Sequence, residues 1–276
     1  MRNLNNRYTD MAVELSGLKS GSSSSIRSGI EKTVSVIKKA DEEKYGKPEG
    51  KYITIECSDF FKNEPQKENL STALFESLVE LIKHLNIPTV KKILVVGVGN
   101  VMMTADSLGP ECANKINPVL DGKISLHTLI PNVIGMTGIE SFDLVFCAAK
   151  KIQPDLIIAI DTLAANKTHR LSYAFQMSTS GLQPGGGVKN HRPALNFFTL
   201  NTPVIAVGVP LVVYAINLAK DILEVYGYDI TTKKSPKDKP LENMIVTVKD
   251  INVAVGECSD VISAAISMFG QANTIF

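Results

Sequence analysis

Three apolar runs constrain the fold more than anything else in this chain. Residues 93–99, 156–160 and 203–209 are almost wholly aliphatic, glycine aside, and lack the polar alternation of a half-exposed strand. A strand reads this way when both its faces are covered, as in a parallel sheet flanked by helices. Helical spacing fills the intervals. Leu70, Leu74, Leu78, Leu81 and Leu85 make one stripe, which Pro88 ends. Further helices are expected from Cys112 to Ile116, over 138–150 (Ile139, Phe142, Val145, Phe146), over 211–225 and near 260–269. Shorter strands are expected at 51–57, 127–131 and 244–248, and 227–243 reads as an exposed loop. Such alternation builds right-handed βαβ units. The expected fold is α/β, a doubly wound and mostly parallel sheet with helices on both faces.

The first fifty residues have a different character. They hold a serine run at 22–25, scattered charge, and Ile30, Val34 and Ile37 at helical spacing, before a Gly-Lys-Pro-Glu-Gly break at 46–50. This reads as a loosely attached, partly flexible arm (1–50) preceding a single α/β domain (51–276). Lys and Arg total 29 against 28 Asp and Glu, so no strong field recruits nucleic acid or an anionic membrane, and direct contact with neither is expected. Four separated cysteines form no metal or redox spacing, and Cys112 and Cys147, in apolar helical stretches, are expected as buried free thiols. With no signal-peptide core and no uninterrupted apolar span, a soluble protein of the reducing cytoplasm is expected.

Two acids follow two of the core strands: Asp106, in Thr-Ala-Asp-Ser-Leu-Gly-Pro at 104–110, and Asp161, in Asp-Leu-Ile-Ile-Ala-Ile-Asp-Thr-Leu-Ala-Ala at 155–165. Either alone reads as a helix cap or turn residue. Together they meet at the carboxyl edge of one sheet, where α/β folds bind ligands. Two carboxyls there can share a proton and activate water, which is hydrolase chemistry. Gly97-Val98-Gly99 lacks the third glycine of a dinucleotide fingerprint, Met102 standing in its place, so a tight strand exit is the better reading. The histidines make no zinc spacing and no Gly-x-Ser-x-Gly elbow occurs, so no metal and no cofactor is assigned. The glycine-rich stretch 178–192 is a solvent loop by composition, or a substrate-covering loop through Gly185, Gly186, Gly187 and Asn190.

Taken together, these segments resemble the germination proteases of spore-forming bacteria, which degrade small acid-soluble spore proteins. The likeness runs through 95–100, 104–110, 131–140, 155–165, 176–181, 184–190 and 203–210, covering most of 51–255. It implies a fold similar to the hydrogenase-maturation endopeptidases, with Asp106 and Asp161 as the catalytic pair. It also implies a self-processing zymogen, cut between Asp10 and Met11, where an acidic residue precedes an apolar residue and alanine. Small acid-soluble spore proteins would be the substrates, the forespore cytoplasm the location, and a homotetramer the assembly. Alternative readings are a metal-dependent relative of the hydrogenase-maturation enzymes and an inactive homologue that binds spore proteins. The sequence departs from the family pattern at Thr179, where an acid is frequent, at Tyr214, where an Asp is frequent, and at Lys189, where a glycine is usual.

Overall fold

A computed structural model of the chain describes residues 9–15, 17–18, 20–183, 193–228 and 244–271. In chain order its elements are strands β1 (Ser20–Arg27) and β2 (Ile30–Ile37), helix α1 (Glu42–Tyr45), β3 (Gly50–Cys57), α2 (Glu64–His84) and β4 (Lys92–Gly97). Next come α3 (Leu108–Lys115), β5 (Ser125–Leu129), α4 (Ile134–Thr137), α5 (Ser141–Ile152), β6 (Leu156–Ala165) and β7 (Ala174–Ser178). The chain continues with α6 (Phe197–Leu200), β8 (Val204–Tyr214), α7 (Ala215–Val225), β9 (Ile245–Thr247) and α8 (Ile251–Gln271).

Among the described residues the strands form one sheet in the order β1-β2-β3-β7-β8-β6-β4-β5, with β9 pairing on β8. The three apolar runs are its centre: β8, β6 and β4 are mutually parallel, and β5 extends them in parallel. Every other pairing, β1–β2, β2–β3, β3–β7, β7–β8 and β8–β9, is antiparallel. The sheet is therefore mixed, not mostly parallel as the core strands suggest. The physical reason lies in the connections. Short links joining β1 to β2 and β2 to α1 and β3 carry no crossover helix long enough to return the chain in parallel.

The amino-terminal region is the largest departure from expectation. Ile30, Val34 and Ile37 fit a helical stripe by spacing, but 30–37 is a strand paired along its length with β3, from Ile30↔Cys57 to Ile37↔Gly50. Threonine, valine and isoleucine dominate it, and β-branched residues lose rotamer freedom in helices and pack well on a pleated surface. Far from a loose arm, residues 20–37 complete one side of the sheet. The helix expected from residue 211 begins at Ala215, because Leu211, Val212, Val213 and Tyr214 prolong β8. Pro210 is tolerated inside that strand because the β6–β8 register slips there, Leu163 facing Pro210 and Ala164 facing Val212.

Helices α2, α3 and α8 cover one face. Ile158 and Ile160 of β6, Ile205 and Val207 of β8 and Phe175 of β7 pack there against Leu74, Leu78, Cys112, Ile262 and Phe269. Asn63 caps α2, its side chain accepting the Gln66 N–H. The other face buries Leu94, Val96, Ile157 and Ala159 beneath Val145 and Ala149 of α5. Helix α8 is long and apolar enough to cross a membrane by length and composition alone, but ten of its side chains are buried in this core. Cys57, Cys112 and Cys258 are buried free thiols, whereas Cys147 is exposed, because α5 is a one-sided surface helix. Phe269 is fully buried and packs on Phe75 at 4.9 Å between ring centroids. Truncating it by Phe269→Ala should cost about 3–5 kcal/mol, read as a lowered urea midpoint with an unchanged slope.

Candidate active site

Three glycines bring Asp106 to the end of the sheet. After β4 the chain turns through Gly99 at φ +130°, and a Cβ there would lie 1.9 Å from the Asp106 carbonyl oxygen. A Cβ on Gly109, in the first turn of α3, would lie 2.3 Å from the Val98 oxygen and 2.4 Å from that of Ile160. One on Gly97 would meet the Gly109 carbonyl oxygen at 2.2 Å. Backbone thus stacks on backbone where β4, β6 and α3 meet. The glycines serve this contact, in line with the tight strand exit expected. Asp106 closes a 3-10 turn (Thr104–Asp106), and its Oδ2 accepts the Asn100 N–H at 3.0 Å while its carbonyl accepts the same N–H at 3.1 Å.

Asp161 lies in β6, one residue past the last β4–β6 pair, Gly97↔Ile160. Its Oδ1 accepts the N–H of Thr162 at 2.8 Å. Desolvation, then the charge of Asp106 and, more weakly, that of Asp10, hold its carboxyl well above the usual carboxylate range; the Thr162 N–H pulls the other way. The two acids singled out in the sequence therefore share one electrostatic site. Burial and the neighbouring charge both favour the neutral form of Asp161.

The segment carrying the expected processing site lies in this same place. The Asp10 N–H donates to the Ala164 carbonyl at 2.8 Å, and the Ala164 N–H donates to Asp10 Oδ2 at 2.9 Å. Lys47 Nζ is 3.4 Å from Asp10 Oδ1. Gln176 Nε2 donates to the Asp10 carbonyl at 2.9 Å, and Gln176 Oε1 accepts the Ala12 N–H at 2.6 Å. Met11 and Ala12 are buried. Beyond them the Glu14 carboxylate, almost fully buried, accepts the N–H groups of Asn166 (2.6 Å) and Lys167 (2.9 Å) and pairs with Arg170 Nη1 at 3.3 Å. Thr9 donates its hydroxyl to that carboxylate. Residues 9–15 are thus seated on the carboxyl end of β6, beside the aspartates.

The remaining candidates divide. Gly185, Gly186, Gly187 and Asn190, with Lys189, lie outside the described residues. Thr179 is structural, its Oγ1 accepting the Lys51 N–H at 3.0 Å. Tyr214 is half-buried, and burial together with the Asp10 charge raises its phenol above the ordinary value. Among the described residues no group of three or more His, Cys, Asp or Glu side chains is arranged to hold a metal ion. Gln176, Lys47 and Glu14 were not singled out in the sequence. For Gln176 a signal existed, since it is a carboxamide inside the buried strand Ala-Phe-Gln-Met-Ser.

Comparison with known proteins matches the sequence to a family. The germination protease profile covers residues 5–250. The chain belongs to the germination protease family. It is 34% identical over 264 residues to the germination protease of Priestia megaterium, an alignment covering 86% of this chain and 71% of that protein. The Clostridium tetani enzyme is 33% identical over 271 residues, 85% and 83% of the two chains. That of Bacillus subtilis is 37% identical over 205 residues, 70% and 55% of the two. Membership makes the chain a peptidase of the spore-germination type, and the resemblance read in the sequence is thereby established.

The raised Asp161 carboxyl has a consequence for stability. Because its folded value exceeds the unfolded one, its favourable contribution is complete below about pH 4 and is lost as pH rises through the folded value. Asp161→Asn mimics the neutral acid. Its Tm should match wild type near pH 4 and exceed it near pH 8. Thermal melts giving the same difference at both ends would contradict this.

Proposed function

We propose that the chain is an endopeptidase that begins the degradation of small acid-soluble spore proteins at germination, made as a zymogen that removes its own first residues. Asp106 and Asp161 act as the catalytic pair. The observation that carries this reading is the seating of the Asp10–Met11 segment on Ala164 of β6 and on Gln176, near enough for the Asp10 charge to be felt by Asp161. A cut site held on the same molecule close to the catalytic pair favours an intramolecular first turnover.

The proposed roles follow the upward direction of the Asp161 shift, with Asp106 assigned the complementary part. Asp106, ionised, takes a proton from water as the water oxygen attacks the Asp10 carbonyl carbon. Asp161, neutral, donates its proton to the carbonyl oxygen or to the departing Met11 nitrogen. The peptide C–N bond then breaks, leaving a carboxylate on Asp10 and an amine on Met11. Net consumption is one water, and the proton balance of the pair is restored through solvent. Substrates in trans would present the same pattern of an acidic residue, an apolar residue and alanine. The tetrameric assembly and the forespore cytoplasm belong to this proposal through family resemblance, and the near-neutral charge gives no cause to add nucleic acid as a partner.

The test pairs both reactions. Wild type, Asp106→Asn and Asp161→Asn are incubated alone and with a purified small acid-soluble spore protein, and products are identified by intact mass. Wild type should yield a chain beginning at Met11 and a cut spore protein. Each Asn variant should fold and lose at least about 1,000-fold in both rates. Wild-type rates in either variant would remove that aspartate from the mechanism.

A further inference from the structure

The carboxamide of Gln176 is a buried polar group whose two ends are both engaged by the amino-terminal segment. Its position is set by register. Asp161 of β6 and Gln176 of β7 each pair with Gly208 of the intervening strand β8. Cross-strand partners project to the same face, so Asp161 and Gln176 stand on one face, two strand spacings or roughly 10 Å apart. Gly208 contributes no side chain between them, and a Cβ there would come within 2.6 Å of Leu163 Cγ. The Asp10–Met11 peptide is held in this region.

The bonding pattern is informative. Gln176 Nε2 donates to the carbonyl of Asp10, and Gln176 Oε1 accepts the N–H of Ala12, the two groups flanking Met11. In a parallel ladder one residue bonds in this way to the residues before and after its opposite neighbour. The Gln176 side chain therefore stands in for one residue of a parallel strand lying opposite Met11. It grips main chain only, so any extended peptide can satisfy it. When the segment leaves, a buried amide loses both partners, which is unfavourable until another peptide takes the place.

We infer that Gln176 is the residue that positions the scissile peptide, its Nε2–H fixing the carbonyl that is attacked and its Oε1 fixing the backbone one residue beyond the cut. This deepens the proposed function and rests on it. The Nε2–H points at the oxygen on which negative charge develops when water adds, so it is a donor of the oxyanion-hole kind. The second grip fixes the backbone on the other side of Met11 and so limits rotation of the Asp10–Met11 peptide.

The test reads self-processing of the full chain, a unimolecular rate with no substrate-binding step. The first-order appearance of the chain beginning at Met11 is followed by intact mass for wild type, Gln176→Leu, Gln176→Glu and Asp161→Asn. Gln176→Leu, which cannot donate, should process about 100-fold more slowly. Gln176→Glu keeps the shape and supplies the pH signature. Residue 176 is paired across strands with Thr54 on β3, bonds to Asp10 and shares a face with Asp161, while Asp10 itself pairs with Lys47 and its charge reaches Tyr214. Protonated, it both donates and accepts as glutamine does; ionised, it can only accept. Its rate relative to wild type at the same pH should therefore fall as pH rises from about 5 to about 9. Should the leucine variant fold poorly, the near-isosteric glutamate variant carries the test alone.

A leucine variant within about threefold of wild type, or a glutamate variant whose deficit is the same at every pH, would overturn the inference. Wild type left uncut at Asp10–Met11 would instead remove the functional reading beneath it. A cut wild type, an uncut Asp161→Asn and a fully active Gln176→Leu would remove the role of Gln176 alone.

Discussion

Two carboxyl groups held close together at the end of a sheet, partly withdrawn from water, are the constraint on which the rest of the molecule depends. Withdrawing one charge beside another is unfavourable, and the carboxyl of Asp161 is accordingly held above the usual carboxylate range. Such a pair needs a rigid mount, since carboxylates free to move would separate. The mount is the backbone stack at Gly97, Gly99 and Gly109, where three elements approach too closely for any side chain. The parallel centre of the sheet matters because it delivers the ends of β4 and β6 to the same edge, one carrying the loop to Asp106 and the other Asp161.

The amino-terminal region answers a second constraint. The end of β6 beyond Asp161 carries backbone N–H and C=O groups that need partners. In this structure residues 9–15 satisfy them: Asp10 with Ala164, Glu14 with the amides of 166 and 167, and Gln176 with the main chain on either side of Met11. Ion pairs add to this at Lys47 and Arg170, and their half-exposed or buried settings make them orienting contacts rather than large sources of stability. The segment is thereby an integral part of the fold at the end of β6.

Much of the core was legible in the sequence because burial on both faces leaves a compositional trace. The runs at 93–99, 156–160 and 203–209 read as buried strands and are the parallel centre. The stripe from Leu70 to Leu85 reads as a helix and is α2. The misreadings have one cause, which is that local pattern was ambiguous where tertiary pairing decides. Ile30, Val34 and Ile37 fit a helix by spacing, but the edge of β3 offered a ladder that β-branched residues fill better. Leu211 to Tyr214 fit either the end of a strand or the start of a helix, and the long β6 partner resolved them as strand.

The sequence by itself determined the apolar core strands, the two aspartates at their carboxyl ends and membership of the germination protease family, since periodicity, composition and motif order are properties of the chain. Tertiary structure alone decided that the sheet is mixed, that residues 20–37 belong to it, and that Asp10 bonds to Gln176 on the face of the sheet that carries Asp161. Asp10 is more than 150 positions from the other two, while Asp161 and Gln176 lie on strands separated in the sheet by β8, so strand order and register, not spacing along the chain, bring them to one region.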